Sequence, residues 1–234
     1  LPALPDSDVV AVPDVILAWQ SLATDWRLSW GKTVIAITGS NGKTTVKEWL
    51  TSLLAPAVHV HSSPRSYNSQ IGVPLSLWDL HDDHEVALIE AGISQPHEME
   101  RHARTIQPEF GVLTHLGSSH IDAFEDEEHL LDEKLKLFGT CDWVAMPGSL
   151  IEAKQKLQDR GCKVITWGKD EHHELIVQSH ATSSGRVIQA TWKETIYNWT
   201  LPFSSEIGFR NAMTAVLVAL QWGVNGQQVR PVLR

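Results

Sequence analysis

The chain has 234 residues, enough to bury one sizeable core without disulfide or metal staples. Hydrophobic residues make up 42% and charged residues 20%, and 19 Lys plus Arg against 28 Asp plus Glu leave a formal charge of -9. An acidic chain of this kind is a poor match for nucleic acid or an anionic membrane surface, because both demand clustered Lys and Arg.

In chain order, Leu1 to Asp8 has neither a basic start nor an apolar core, so no leader peptide is expected. Residues 1–30 read as the remnant of an N-terminal region or linker. Val9 to Val15 is broken by Pro13, and a helical pattern follows in Ile16, Leu17, Trp19, Leu22 and Ala23. Thr33 to Thr38 is a continuous apolar run, as in a strand covered on both faces. A helix is expected over Thr44 to Leu54, a buried strand over Val86 to Ala91, and a helix over Gln95 to Ile106. A third strand follows at Phe110 to Thr114, then a helix from Glu125 to Phe138 with acidic residues in its first turn. Trp143 to Met146, Ile151 to Gln158 and Val164 to Trp167 repeat strand, helix, strand. This alternation predicts an α/β fold with a doubly wound, mainly parallel sheet. The region 174–201 differs: Leu175 to Gln178, Arg186 to Thr191 and Thr195 to Leu201 read as a small antiparallel appendage. A long apolar helix is expected over Arg210 to Trp222, and 227–234 stops without a closing element, as the start of a truncated C-terminal region would. No apolar run approaches the roughly 20 residues that span a bilayer. Cys141 and Cys162 form no C-x-x-C pair, so free thiols in a reducing cytoplasm are expected. The 10 tryptophans are scattered and suit packing more than a motif.

The strongest signal is Thr38-Gly39-Ser40-Asn41-Gly42-Lys43-Thr44-Thr45, placed between a predicted strand and a predicted helix. Glycines let backbone N–H groups approach phosphate oxygens, and the helix N-terminus adds partial positive charge. In a phosphate-binding loop, Lys43 reaches the β- and γ-phosphates and the Thr44 hydroxyl ligates Mg2+. The full G-x-x-x-x-G-K-[ST] spacing is not met, since Ile37 stands where the first glycine would be. Glu90, at the end of its strand, is either a magnesium ligand or a solvated strand-end acid. His120, alone in a loop, carries no assignment by itself. Lys134 falls within the apolar arc of Leu130, Leu131, Leu135, Leu137 and Phe138, whereas Asp132, Glu133 and Lys136 fall outside it. Burial favours a neutral, nucleophilic amine that can take up CO₂ as a carbamate. A lysine snorkelling past the stripe explains the position equally well. Asn68 sits in a polar turn.

The loop resembles that of the Mur ligases, ATP-dependent amide-forming enzymes of peptidoglycan synthesis, and of the related folylpolyglutamate synthases. Tyr67-Asn68-Ser69-Gln70-Ile71-Gly72-Val73-Pro74 and Ile89-Glu90-Ala91-Gly92 look like segments of the branch that adds D-alanyl-D-alanine. His120 with Phe124, and Glu133-Lys134 to Phe138, are similar to two further family segments. The resemblance covers about residues 9–222 and implies that 31–226 form the central ATP-binding domain. It implies that Gly39 to Thr45 hold ATP and that Thr44, Glu90, His120 and a carbamylated Lys134 surround two Mg2+ ions. Lys43, His120 and Lys134 are the implied catalytic residues. Asn68 and Ser69 are implied contacts to the muramoyl-peptide substrate. Asn211 matches the second Asn of the family's adenine segment, whose His and first Asn are replaced by Ile207 and Gly208. Forms of the family fused to alanine racemase lack the same pair, so the loss is compatible with activity. His115 stands where the family has Asn.

The expected function is therefore ATP-driven joining of D-alanyl-D-alanine to a UDP-muramoyl-tripeptide. The enzyme would be a cytoplasmic monomer, with no nucleic-acid partner and no membrane insertion. The chain by itself is expected to ligate weakly or not at all, because two substrate-binding domains of the family are not represented. Two rivals stand beside this reading: a folylpolyglutamate synthase, and an ATP-binding module without catalysis.

Overall fold

The computed structural model describes residues 10–117 and 123–229. Among these residues nine strands form: β1 Thr33–Thr38, β2 Val60–Ser62, β3 Val86–Glu90, β4 Phe110–Leu113, β5 Trp143–Pro147, β6 Lys163–Gly168, β7 Leu175–Thr182, β8 Gly185–Trp192 and β9 Thr195–Leu201. They make one sheet in the order β2-β3-β1-β4-β5-β6-β7-β8-β9. All pairings from β2 to β7 are parallel, and β7, β8 and β9 are antiparallel. Seven helices accompany them among the described residues: α1 Val15–Trp30, α2 Lys43–Leu54, α3 Gly72–Trp78, α4 Glu98–Ile106, α5 Glu127–Leu135, α6 Ile151–Asp159 and α7 Glu206–Trp222.

The parallel strands are apolar along their length because both faces are covered. Side chains alternate between the faces. Ile35, Ile37, Leu88, Val112 and Ala145 face one way and pack with Val46 and Leu50 of α2 and Ala215 to Leu220 of α7. Val34, Ala36, Ala87, Ile89, Leu113 and Val144 face the other way and pack with residues of α1, α3, α4, α5 and α6.

The antiparallel strands expected over 174–201 form, and they are joined to the main sheet: β7 pairs with β6 at Trp167↔Leu175 and Gly168↔Ile176, so the sheet runs on. Their inner residues Leu175, Val177, Ile188, Ala190, Trp199 and Leu201 join the α7 core, which removes any need for a second one. β2 and α3 were not foreseen, because three residues of strand and seven of helix are too short to show a period. Pro74 is tolerated in α3 because it lies in the first turn, where its missing N–H has no partner to lose.

Glu133 departs from the sequence reading: it lies outside the apolar arc of its own helix, yet it is fully buried. Its Oε1 accepts the Met99 N–H of α4's first turn at 3.3 Å, and its Oε2 accepts from Lys136 Nζ at 2.6 Å. A carboxylate at a helix N-terminus is stabilised by the helix dipole, which a pattern read on one helix cannot reveal. α5 starts where Asp126 accepts the His129 N–H at 2.7 Å, and it closes in one 3-10 turn, Lys136–Phe138. Both cysteines are free thiols.

Candidate nucleotide and metal site

β1 lies between β3 and β4, where the order of the strands reverses, so a crevice opens beyond its C-terminal end. Residues 39–42 turn the chain there from β1 into α2. Gly39 has φ +147 and Gly42 φ +85. A Cβ on Gly39 would strike the Thr114 hydroxyl, and one on Gly42 would strike the Asn211 amide. Gly42 is the N-cap of α2 and offers no side-chain hydrogen bond, so no cap side chain competes for the first N–H groups of the helix. The loop is braced from β4's exit. Ser40 N–H donates to His115 O at 2.7 Å, Ser40 Oγ exchanges hydrogen bonds with Gly117, and Thr114 Oγ1 donates to Asn41 O at 2.6 Å. His115 thus tethers the loop through its backbone carbonyl. Lys43 Nζ folds back onto Gly39 O at 2.9 Å. Burial holds its pKa below the usual lysine value, against the opposing pull of Glu90. Thr44 and Thr45 occupy the first turn of α2.

Glu90 is 1% exposed at the end of β3, so the solvated reading of this acid is excluded. Its Oε2 accepts the Thr44 hydroxyl at 2.9 Å, and its Oε1 accepts Asn68 Nδ2 at 2.7 Å. Asn68 therefore reaches Glu90 with its side-chain amide, and its backbone carbonyl accepts the Gly92 N–H at 2.8 Å. Two partners were missed in the sequence. Ser63 Oγ accepts the Glu90 N–H at 3.1 Å, and Lys47 Nζ lies 3.7 Å from Glu90 Oε2. Lys47 was legible by the test applied to Lys134, since it falls on the buried stripe of Val46, Leu50, Leu53 and Leu54.

Lys134, on α5, is 3% exposed and has no salt-bridge partner among the described residues. Burial first, and the charge of Lys43 second, lower its pKa to about 8. Lys134, Lys43, Gly39, Ser40, Asn68 and Ser69 line one cleft of about 190 Å³. Sequence positions 39 to 134 thus converge on one rim. His120 lies outside the described residues. Asn211 is buried in the second turn of α7 against Gly42, whereas Ile207 is exposed. Among the described residues no three His, Cys, Asp or Glu side chains gather to hold a metal. The Thr44 hydroxyl and Glu90 carboxylate are hard oxygen donors side by side. They suit Mg2+, which keeps waters and phosphate oxygens as its other ligands.

Gly42→Ala should weaken nucleotide binding about tenfold or more, because the new methyl meets both a left-handed φ and Asn211. Calorimetric titration with ATP or ADP checks this, and unchanged affinity would contradict the loop assignment.

Strand, glycine-bearing loop and helix, seated at the switch point of a doubly wound sheet, define a P-loop α/β domain. The chain belongs to the Mur ligase family: the Mur ligase middle domain matches residues 37–219. It is 28% identical over 219 residues to the UDP-N-acetylmuramoyl-tripeptide–D-alanyl-D-alanine ligase of Bacillus subtilis, across 92% of this chain and 47% of that protein. The chain therefore spans about half the length of that curated relative. The crystal structure of MurF from Acinetobacter baumannii superposes with a TM-score of 0.86 at 23% identity, over 99% of this chain and 52% of that one. MurF ligase from Thermotoga maritima, solved in complex with ADP, superposes with a TM-score of 0.85 at 20% identity, over 97% and 55%. At such identities these structures establish the shared fold.

Proposed function

We propose that this chain is the ATP-binding domain, over about 31–226, of a ligase that joins D-alanyl-D-alanine to a UDP-muramoyl-tripeptide. The stretches 1–30 and 227–234 flank that domain, and α1, within the first of them, packs on its sheet. The observation that carries the reading is the convergence of Lys43, Thr44, Glu90, Asn68 and Lys134 at the rim beyond β1. The name of the Bacillus relative and the ADP held by the Thermotoga structure support it. The protein would act as a cytoplasmic monomer; no helix among the described residues is long and apolar enough to cross a membrane.

A carboxylate is a poor electrophile. In the proposed reaction its oxygen attacks the γ-phosphorus of ATP, ADP departs, and an acyl phosphate results. The amine of D-alanyl-D-alanine attacks the acyl carbon, loses a proton, and phosphate leaves as the amide forms. Lys43 and the loop N–H groups offset charge on the transferring phosphoryl oxygens. Thr44 and Glu90 would hold Mg2+, with His120 and carbamylated Lys134 as further ligands. The metal, when bound, neutralises phosphate charge as a Lewis acid. Asn68 keeps Glu90 aimed at Thr44, and Ser69 faces the muramoyl-tripeptide from the same wall.

The test is release of ADP and phosphate by enzyme that carries the flanking domains, with the UDP-muramoyl-tripeptide and D-alanyl-D-alanine as one pair and folate with glutamate as the other. Turnover with the first pair alone is expected; turnover with the second alone would replace this reading. Glu90→Ala should raise the Mg2+ needed for half-maximal rate about tenfold or more, and an unaltered titration counts against its ligand role.

A further inference from the structure

Lys47 is 2% exposed, although an ammonium is among the costliest groups to bury unpaired. It is a compact charge with three donors. One goes to Ser63 O at 2.6 Å and another to Arg65 O, and Glu90 Oε2 lies 3.7 Å away. Among the described residues Lys47 is the sole salt-bridge partner of Glu90. Its partners belong to separate pieces of chain: the turn after β2 and the end of β3. Arg65 has φ +49, a left-handed conformation that a side chain adopts at a cost. Just beyond it, Ser66 Oγ lies 3.3 Å from the Thr44 hydroxyl, and Asn68 reaches Glu90 and Gly92. Asn68 and Ser69 then form part of the cleft wall.

We propose that Lys47 is a positioning residue: its ammonium clamps the 63–65 turn onto α2 and Glu90, and so holds Asn68 and Ser69 at the cleft wall for the muramoyl-tripeptide. A hydrocarbon of the same length would leave two carbonyls and a buried carboxylate without their cation, which is why a lysine stands on this apolar stripe. The substrate half of the inference rests on the function proposed above; the clamp does not.

Lys47→Met keeps the stem and removes the ammonium. Amide hydrogen exchange at Tyr67, Asn68 and Gly92 should quicken about tenfold or more, with the amides of Leu50 to Leu54 unchanged. In ligation-competent enzyme, KM for the UDP-muramoyl-tripeptide should rise about tenfold while KM for ATP moves less than about threefold. Should Lys47→Met fail to fold, combining it with Glu90→Gln removes the unpaired carboxylate too, and exchange is compared with Glu90→Gln alone. Unchanged exchange at Tyr67, Asn68 and Gly92, or equal acceleration across α2, overturns the clamp whatever substrate the enzyme takes. Faster exchange with both KM values moving together overturns the positioning role. Wild-type enzyme that ignores the muramoyl-tripeptide faults the proposed function instead, and exchange alone then judges the clamp.

Discussion

Lys43→Ala should lower kcat of the ligation-competent enzyme by about a thousandfold or more, with the fold intact. Among the described residues Lys43 Nζ donates only to a carbonyl of its own loop, Gly39 O, and ties no other described element in place. Burial already disfavours its charged form. Removing it therefore relieves a small cost, and the melting temperature should stay level or rise. Loss of turnover without loss of stability is what a group used only on phosphoryl oxygens predicts. Steady-state kinetics beside a thermal melt check both halves. Unchanged turnover would remove the phosphate-loop role, and a large drop in melting temperature would make Lys43 a structural residue.

Lys134→Ala should lower turnover about a hundredfold or more, and short carboxylic acids should restore part of it by standing in for the carbamate. With its pKa at about 8, Lys134 presents far more neutral amine near neutral pH than an ordinary lysine, and that form captures CO₂. Labelled bicarbonate should give a carbamate carbon signal in the wild type that Lys134→Ala lacks. Full activity in the variant, or the same signal in both proteins, would end the assignment. Stability of the uncarbamylated chain, measured in CO₂-free buffer, supplies an independent check. Between about pH 8 and 10.5 the unfolded chain holds this proton and the folded one has released it. The unfolded state then binds more protons, so stability rises with pH across that window. Below it the penalty is complete, and Lys134→Met should melt higher than wild type at pH 7.

Much of this was readable in the sequence for one reason: the features are local. A strand buried on both faces is apolar throughout, so β1 appeared with both its ends correct. The loop after it has its glycines where backbone must turn left-handed. Lys134 stood out because one helix supplies its own apolar reference. The resemblance added what no local rule supplies, namely that residues near 68, 90 and 134 serve one site. Glu133 marks where local patterning stops. Its burial depends on α4, so an arc drawn on α5 alone put it outside. Lys47, by contrast, is written in its own helix, on the apolar arc of Val46, Leu50, Leu53 and Leu54.

Local patterning by itself determined the alternation of strand and helix, the phosphate loop and the buried lysine, because covalent spacing and helical period are written along the chain. The tertiary structure alone decided that Asn68 holds Glu90, that Lys47 joins the 63–65 turn to both, and that β7 to β9 extend the main sheet. Those are contacts between segments far apart in sequence, and their partners are chosen by how the layers pack.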